Sequence, residues 1–256
     1  MTKAVGVDVS KYNVSTDGKV IWNYANRKKQ IDFVIQRASY GGSLGGQVKD
    51  ELFDTLLPRV MQCDIRGAYH YYSSHSPWKQ QADFFLNVTN GKGFHFYAVD
   101  YETAYNALDR RTIAEFAEMV KYIKAQTGKK VLCYFNWNVF NTYIKPFGYD
   151  AWVNNEDIWY AWYPYQTTED PPASVARPIG MGNFRIHQYG AGDVGNTAGY
   201  NAGANYGGGS RGIDLNAYNG TIDDMKTWLN LETIPKPELI DAEKLSRLWK
   251  AHPELW

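Results

Sequence analysis

The sequence predicts an α/β fold, a TIM-like barrel of eight mostly parallel strands whose later helices are missing or reduced. Three observations support this prediction. Short β-rich runs alternate with helical patterns in the first half of the chain, eight such runs are present, and the helical pattern fades after Phe135. Alternating strands and helices are typical of a parallel sheet, and eight parallel strands can close into a barrel.

The predicted strands are short runs rich in β-branched and aromatic residues. They are Ala4–Val9, Asp32–Ala38, Ile65–Tyr72, Phe94–Tyr101, Lys130–Phe135, Ile158–Trp162, Phe184–Tyr189 and Gly212–Leu215. Predicted helices separate the first five strands. The clearest runs from Asp109 to Thr127, where apolar residues repeat at helical spacing and Gly128 supplies the stop signal. The others are Ile21–Lys29, Glu51–Gln62, Pro77–Asn87 and a short one at Asn138–Lys145.

Composition excludes several classes of function. The chain has 256 residues, 44% of them hydrophobic and 16% aromatic, which is enough for a substantial core. Its 27 basic residues balance its 27 acidic residues, so no electrostatic argument favours nucleic acid or an anionic membrane as partner. Cys63 and Cys133 form no metal-binding pattern with the scattered histidines, and we expect neither a metal site nor a disulfide. A neutral polar ligand, bound by stacking and hydrogen bonds, is favoured.

Asp100 and Glu102 form the most informative pair in the sequence. They lie two residues apart at the end of an apolar run, so on a strand they point to the same face, with Cα atoms roughly 6.5–7 Å apart. Two like charges held this close push one pKa upward, which is what a general acid working near neutral pH needs. The pair therefore predicts an acid-catalysed hydrolase. The alternative is a surface strand end with two solvated acids.

Other chemically active residues also fall at the ends of predicted strands, where a barrel of this type carries its chemistry. They are Asp8, Gln36, Arg37, Tyr69, His70, Tyr71, Tyr134, Trp162, Gln188, Tyr189, Asp214 and Asn216. Each has a structural alternative; His70, for example, could be a core histidine with its hydrogen bonds satisfied. Their shared position predicts a single cup lined by carboxylates and aromatic rings.

A glycine-rich segment, Gly190 to Gly195, matches the G-x-G-x-x-G pattern of dinucleotide-binding sites. That pattern needs a helix directly after it, because the pyrophosphate binds at a helix N-terminus. The glycines that follow, including Gly207-Gly208-Gly209, oppose a helix at about 1 kcal/mol each. We therefore expect Gly190–Gly212 to be a long loop and not a nucleotide site.

Five motifs, in order and spacing, resemble those of the family 25 glycoside hydrolases, the Chalaropsis-type lysozymes common among phage endolysins and bacterial autolysins. The motifs are Val7-Asp8-Val9-Ser10, Gly67-Ala68-Tyr69-His70-Tyr71, Val99-Asp100-Tyr101-Glu102, Ile186-His187-Gln188-Tyr189 and Gly212-Ile213-Asp214-Leu215-Asn216. The resemblance covers about residues 4–229. It implies a flattened barrel of five β/α units followed by three strands. It also implies cleavage, with net retention and no cofactor, of the β-1,4 bond between N-acetylmuramic acid and N-acetylglucosamine in peptidoglycan.

The resemblance further implies roles for individual residues. Glu102 looks like the general acid, and Asp100 like either the nucleophile or the group that orients the substrate's own acetamido group. Asp8 and Asp214 look like flanking carboxylates that tune the site. The sugar-binding residues would be Tyr69, Tyr71, Tyr134, Trp162, Gln188, Tyr189, Asn216 and Arg37. Arg37 departs from the smaller or lysine-bearing motif expected in many relatives, which affects substrate detail and not the chemistry.

Residues 1–229 are predicted to form the catalytic barrel, and 230–256 a linker followed by a short helix. Ile234-Pro235-Lys236-Pro237 is typical of a linker, and the helix from Asp241 is too short to be stable alone. It would dock on the barrel, anchor the protein to the wall or mediate self-association. The N-terminal residues contain no signal peptide, so we expect synthesis in the cytoplasm, of the host if the protein is phage-encoded, and action on the cell wall after release.

Two alternatives stay open at this point. One is a non-catalytic glycan-binding barrel, against which the retained Asp100 and Glu102 argue. The other is a glycosidase of the same fold that acts on another acetylated polymer such as chitin.

Overall fold

The computed structural model describes residues 2–14, 19–103, 106–163, 170–177, 180–182, 184–190, 203, 205–208 and 212–231. Its strands are β1 (Val5–Val9), β2 (Phe33–Gly41), β3 (Gln47–Lys49), β4 (Ile65–Tyr71), β5 (Phe96–Asp100), β6 (Val131–Asn136), β7 (Asp157–Ala161), β8 (Ile186–Gly190) and β9 (Asp214–Tyr218). Its helices are α1 (Phe53–Val60), α2 (Trp78–Thr89), α3 (Arg110–Thr127), α4 (Trp137–Val139, continued by a π-helical turn at Phe140–Ile144), α5 (Asp150–Val153) and α6 (Ile222–Trp228). Among the described residues, no helix is long and apolar enough to cross a membrane.

The strands form one closed sheet, which confirms the predicted barrel. Its order is β1-β9-β8-β7-β6-β5-β4-β2, and a parallel pairing of β1 with β2 closes the ring. The pairs from β2 round to β8 are all parallel. The short strand β3 lies outside the ring as the second arm of a hairpin with β2. Among the described residues, full-length helices follow only the strands of the first half, which agrees with the predicted reduction of the later helices.

The last barrel strand differs from the prediction in its direction. β9 runs antiparallel to both β1 and β8. The sequence prediction placed Asp214 near the end of its strand, whereas Asp214 is the first residue of β9. Because β9 is reversed, its beginning lies at the edge where the parallel strands end, and Asp214 pairs directly with Asp8.

The helix predicted at Ile21–Lys29 is wrong. Only a single 3-10 turn forms there, at Tyr24–Asn26, and the backbone is already extended at Arg27. Trp22 is fully buried before the turn, and its indole N–H donates to the Tyr206 carbonyl at 3.1 Å. Tertiary burial of this tryptophan therefore replaces local helical hydrogen bonding. The hairpin strand β3 and the helices α5 and α6 were not predicted.

Two apolar layers hold the barrel together. The larger lies between the strands and the helices, and the smaller fills the barrel interior. Inside the barrel, Gly6 and Gly67 make room for the rings of Phe33 and Phe96: a Cβ atom on either glycine would lie 2.4 Å from the facing ring. Because the packing is this close, side chains fill the half of the barrel that lies away from the strand C-termini.

Helix α6 closes the barrel at the end opposite the strand C-termini. Thr221 caps it through a reciprocal pair of hydrogen bonds with Asp224. Its Met225 and Trp228 join the interior cluster, and the Trp228 ring lies 5.8 Å from that of Phe96. With the bottom sealed, the barrel opens only toward the strand C-termini among the described residues. Of the predicted linker and terminal helix, 230–256, all but residues 230 and 231 lie outside the described residues, as does most of the glycine-rich Gly190–Gly212 segment.

Candidate active site

A cleft of about 710 Å³ opens at the edge of the barrel where the parallel strands end. Its lining residues are Asp8, Ser10, Lys11, Tyr12, Arg37, Tyr40, Gly41, Ser43, Tyr69, Tyr71, Ser73, Asp100, Glu102, Asn106, Tyr134, Trp159, Tyr163, Gln188 and Asp214. The cleft therefore combines carboxylates, aromatic rings and hydrogen-bonding groups, as a polar ligand with apolar faces requires.

Two amide side chains hold the carboxylate of Asp8 in the cleft. Its Oδ2 accepts hydrogen bonds from Gln188 Nε2 at 2.8 Å and from Asn216 Nδ2 at 2.7 Å. Burial raises the pKa of Asp8, while these two amide donors act in the opposite direction. Because two donors point at one oxygen, the side chain is held in one orientation at the junction of β1, β8 and β9.

Aromatic hydroxyls and an indole fix the amides that hold Asp8. Gln188 Oε1 accepts from Tyr134 OH at 2.7 Å and Tyr163 OH at 2.6 Å, so the amide nitrogen must face Asp8. Asn216 Oδ1 accepts from the Trp159 indole at 2.7 Å, which orients the second amide in the same way. Residues of four strands and one loop thus converge on one carboxylate, which a fifth strand carries.

Asp100 ends β5 in a different environment. It is 7% exposed, and its Oδ1 is a buried atom without a hydrogen-bond partner. Burial raises the pKa of Asp100 well above its usual range, and the nearby Glu102 carboxylate raises it further, against a smaller opposing effect of Arg37. Asp100 and Glu102 are therefore a coupled pair, in which the charge on Asp100 is costly without a ligand.

Glu102 reaches the cleft because the strand alternation continues beyond β5. Tyr101 between the two acids points outward, where its ring stacks on Phe116 at 4.7 Å, while both acids line the cleft. Glu102 is partly exposed and Asp100 is buried, so the two carboxylates lie at different depths.

Arg37 on β2 faces these acids from the neighbouring wall. Its Nε donates to Asp50 Oδ2 at 2.7 Å, and Asp50 is held in turn by the backbone amides of Lys11 and Leu52. Arg37 is 7% exposed and lines the cleft, yet its Nη2 has no hydrogen-bond partner.

Most of the predicted site residues lie on this cleft. Those that line it are Asp8, Arg37, Tyr69, Tyr71, Asp100, Glu102, Tyr134, Gln188 and Asp214. Asn216 is fully buried below it and acts through Asp8.

Two of the predicted sugar-binding residues do not line this cleft. Trp162 packs in the outer layer against the imidazole of His187, with ring centroids 5.9 Å apart, and Tyr189 is fully buried in the same layer. Both have the parity of outward-facing positions on their strands, since Trp159 and Gln188 face inward. Strict alternation along β7 and the residues directly after it would have identified Trp159 and Tyr163 as the side chains that reach the cleft.

Other cleft residues were missed because loops or irregularities place them. In β2 a bulge at Ala38 shifts the register between Arg37 and Ser39, so Tyr40 faces the cleft although its parity is opposite to that of Arg37. Lys11, Tyr12 and Asn106 come from loops. Loop positions carry no periodic signal that a sequence pattern could have used.

His70 is a core histidine with its hydrogen bonds satisfied, which was the structural alternative to a role in the site. Its ring is fully buried between Ser39 Oγ, 2.8 Å from Nδ1, and Gln81 Oε1, 3.0 Å from Nε2. Burial lowers the pKa of His70 to about 4, so the ring is neutral near pH 7. Gln36, also named at a strand end, is fully buried and donates to the Phe53 carbonyl at 2.8 Å. Among the described residues, no group of three or more His, Cys, Asp or Glu side chains is arranged to hold a metal ion.

Comparisons with known proteins give the context of this site. The model of the glycosyl hydrolases family 25 matches residues 7–199. The uncharacterized protein YegX of Escherichia coli K12 is 24% identical over 231 residues, which cover 88% of this chain and 73% of YegX.

Solved structures share the fold. A family 25 glycosyl hydrolase from Bacillus anthracis has a TM-score of 0.63 at 22% identity, with 89% of this chain and 94% of that chain covered. A bacterial lysozyme from Streptomyces coelicolor has a TM-score of 0.66 at 20% identity, with 90% and 98% covered. A family 25 lysozyme from Aspergillus fumigatus has a TM-score of 0.62 at 18% identity, with 90% and 100% covered.

Proposed function

Because this chain belongs to the glycosyl hydrolases family 25, we propose that it is a lysozyme, a peptidoglycan hydrolase that cleaves the β-1,4 bond between N-acetylmuramic acid and N-acetylglucosamine. The observation that carries the proposal is the meeting of Asp8, Asp100, Glu102 and Asp214 in one cleft with aromatic walls. The lysozymes of Streptomyces coelicolor and Aspergillus fumigatus share the fold and support the choice of substrate.

Glu102 is the general acid in this proposal. It is the more accessible member of the coupled pair, so it reaches the oxygen of a bond lying in the cleft. As the glycosidic C–O bond breaks, Glu102 gives its proton to the leaving oxygen. A water molecule then attacks the anomeric carbon and returns a proton to Glu102.

Asp100 stabilises the positive charge that develops at the anomeric carbon. A buried carboxylate with one unpartnered oxygen is costly in the free enzyme and becomes favourable beside a cation. It acts either by bonding to the anomeric carbon or by accepting the N–H of the substrate's acetamido group, whose carbonyl then assists. Both routes give net retention, and both need Asp100 ionised when the bond breaks.

The spacing of the pair does not choose between the two routes. Retaining enzymes that use a carboxylate nucleophile have carboxyl groups about 5–5.5 Å apart, and inverting enzymes about 6.5–9.5 Å apart. Residues two apart along a strand have Cα atoms roughly 6.5–7 Å apart, and their side chains can converge or diverge. Proton NMR of the first product formed gives the stereochemistry directly: retention predicts that the β-anomer appears before mutarotation.

The test of the proposed function is digestion of purified peptidoglycan beside chitin, followed by identification of the sugar at each new reducing end. We expect muramic acid ends from peptidoglycan and little release from chitin. N-acetylglucosamine ends from peptidoglycan would refute the bond assignment, and preferred release from chitin would favour the chitin-type alternative.

Glu102→Gln distinguishes an enzyme from a glycan-binding barrel. The variant keeps the size of the side chain and loses the transferable proton, so we expect it to lose at least about a hundredfold in kcat while folding normally. Glu118→Gln on the exposed side of α3 is the matched control and keeps full activity. Binding without any turnover by the wild-type protein would favour the non-catalytic alternative.

The proposed substrate also indicates where the protein acts. The protein is made in the cytoplasm, the host's if a phage encodes it, and acts on the cell wall after release.

A further inference from the structure

The segment that carries Glu102 is fastened to its neighbour by the side chain of Asn106. Glu102 lies two residues beyond β5, on the way to α3. The half-buried Asn106 lines the cleft. Its Nδ2 donates to the carbonyls of Glu102 at 3.0 Å and Tyr72 at 2.9 Å, and its Oδ1 accepts from the Ser74 N–H at 2.8 Å. Asn106 therefore joins the main chain of the proposed general acid to the residues that follow β4.

The three partners fix the orientation of the Asn106 amide. The two carbonyls need N–H donors and the Ser74 N–H needs an acceptor, so Nδ2 must face the carbonyls and Oδ1 must face Ser74. Contacts of the adjoining backbone support this arrangement: the Ala107 N–H donates to Ser74 Oγ at 3.2 Å, and the Asn106 N–H donates to the Thr103 carbonyl at 3.2 Å. The amide cannot turn over without losing three hydrogen bonds.

The amide lies where the pairing between β4 and β5 would otherwise continue. The Tyr72 N–H donates to the Asp100 carbonyl at 2.9 Å, which extends the parallel pairing by one residue beyond β4. The hydrogen bonds of a parallel pair recur every two residues, so the next pair would be the Ser74 N–H and the Glu102 carbonyl. The Asn106 amide lies between these two groups and bonds to both. Strand pairing thus places Asp100, and an inserted side chain places Glu102.

Tyr72, the anchor of this arrangement, is fixed in the core. It is fully buried, its ring lies 5.6 Å from that of Tyr101, and its hydroxyl donates to Glu115 Oε2 on α3 at 2.5 Å. A general acid must lie within about 2.6–3.2 Å of the atom that it protonates. A displacement of about 1 Å can cost a hundredfold in rate. The amide that ties Glu102 to this anchor therefore bears directly on proton transfer.

We propose that Asn106 is a positioning residue that holds the Glu102 carboxyl within reach of the leaving oxygen. It acts through the main chain of Glu102 and takes no part in the proton transfer itself. This inference rests on the proposed function and deepens it, because it assigns the accuracy of the acid step to a loop amide. Loss of the amide slows the step that needs a proton and leaves the attack on the anomeric carbon intact.

The test compares two substrates that differ in their need for an acid. The first is a peptidoglycan tetrasaccharide, two repeats of N-acetylglucosamine and N-acetylmuramic acid, whose sugar leaving group must be protonated. The second is the 2,4-dinitrophenyl β-glycoside of one such repeat, whose phenolate leaves without a proton. We expect Asn106→Ala to lower kcat/KM about 10- to 100-fold for the tetrasaccharide and less than about 3-fold for the aryl glycoside.

Two further variants complete the experiment. Asn106→Asp keeps the shape of the side chain and an acceptor for the Ser74 N–H, but it has no N–H for the Glu102 carbonyl, so the same selective loss is expected. Asn155→Ala is the matched control, because Asn155 is exposed and its side-chain amide donates to the Ala151 carbonyl of its own turn at 2.8 Å. Circular dichroism shows whether each variant is folded.

The remaining outcomes separate the positioning role from the proposed function. An equal loss of kcat/KM on both substrates overturns the role, because substrate binding or general distortion would then explain it. Wild-type values in folded Asn106→Ala overturn it as well, and so does unfolding of both Asn106 variants, since Asn106 would then support the fold and not the acid. If the wild-type protein cleaves neither substrate, the proposed function itself fails.

Discussion

Asn216 Nδ2 donates a 2.7 Å hydrogen bond to Asp8 Oδ2, which links the first and last strands of the barrel across 208 positions of sequence. β9 is antiparallel to its neighbours, and this reversal brings the start of that strand to the same edge as the end of β1. The contact that closes the barrel therefore also assembles the candidate site. Changes at this junction should affect both stability and turnover.

Asn216→Ala tests this coupling. The variant loses the donor to Asp8 and leaves the buried Trp159 indole without its acceptor, so we expect a loss of about 1–3 kcal/mol in the free energy of unfolding, measured in urea. Asn141→Ala is the control, because that exposed amide bonds only the Trp137 carbonyl on its own helix. Equal unfolding midpoints for the two variants would contradict the assigned importance of the junction.

Asp100→Asn should stabilise the fold at neutral pH. The pKa of Asp100 is raised well above its usual range in the folded protein, so the folded state holds this proton more tightly than the unfolded state. The wild type therefore loses stability as pH rises from about 4 through the folded pKa, and the variant does not. We expect its advantage in Tm to grow between about pH 4 and pH 8, while lysozyme activity falls.

The measurement for Asp100→Asn is a series of thermal melts across that pH range. Glu118→Gln on the exposed face of α3 serves as the control for removal of a carboxylate. A Tm difference between Asp100→Asn and wild type that does not depend on pH would show that the Asp100 charge costs the fold nothing.

Gly67→Ala should strongly destabilise the barrel. The added Cβ would lie 2.4 Å from the Phe96 ring, which is fully buried inside the barrel and cannot move without displacing other core side chains. Overpacking of this kind costs typically about 1–3 kcal/mol, which a urea titration resolves. Gly46→Ala is the matched control, since a Cβ there would have nothing within 4 Å. If both variants unfold at the same urea concentration, the interior is looser than the contacts indicate.

His70 should be neutral, with its proton on Nε2, at pH 7. Gln81 Nε2 donates to the carbonyls of Ser73 and Ser76, each at 2.8 Å, so Gln81 Oε1 faces His70 and accepts from its Nε2–H. Nδ1 is then the acceptor for the Ser39 hydroxyl. Since burial lowers the pKa of His70 to about 4, protonation of the unfolded chain removes stability as pH falls below about 6.5.

Nitrogen-15 NMR checks the His70 prediction, with the spectrum of His70→Asn used to assign the signals. We expect a titration midpoint near 4 and the chemical shifts of the Nε2–H tautomer. A midpoint near 6.5 would mean that the ring is accessible to water.

The sequence by itself determined the barrel and most of its cleft. Strand–helix alternation and the positions of Asp8, Asp100 and Glu102 depend on local periodicity, which a single chain displays directly. The same alternation would have excluded Trp162 and Tyr189 had it been applied to every strand.

Only the tertiary structure decided the features that depend on how distant strands meet. The reversed β9 places Asp214 beside Asp8, the bulge in β2 turns Tyr40 into the cleft, and the loop after β1 brings Tyr12 over Arg37. Strand direction, bulges and loop paths are fixed by the closure of the ring and by contacts between residues far apart in sequence. No local pattern of side chains specifies them, because their energies come from packing and pairing that exist only once the barrel has closed.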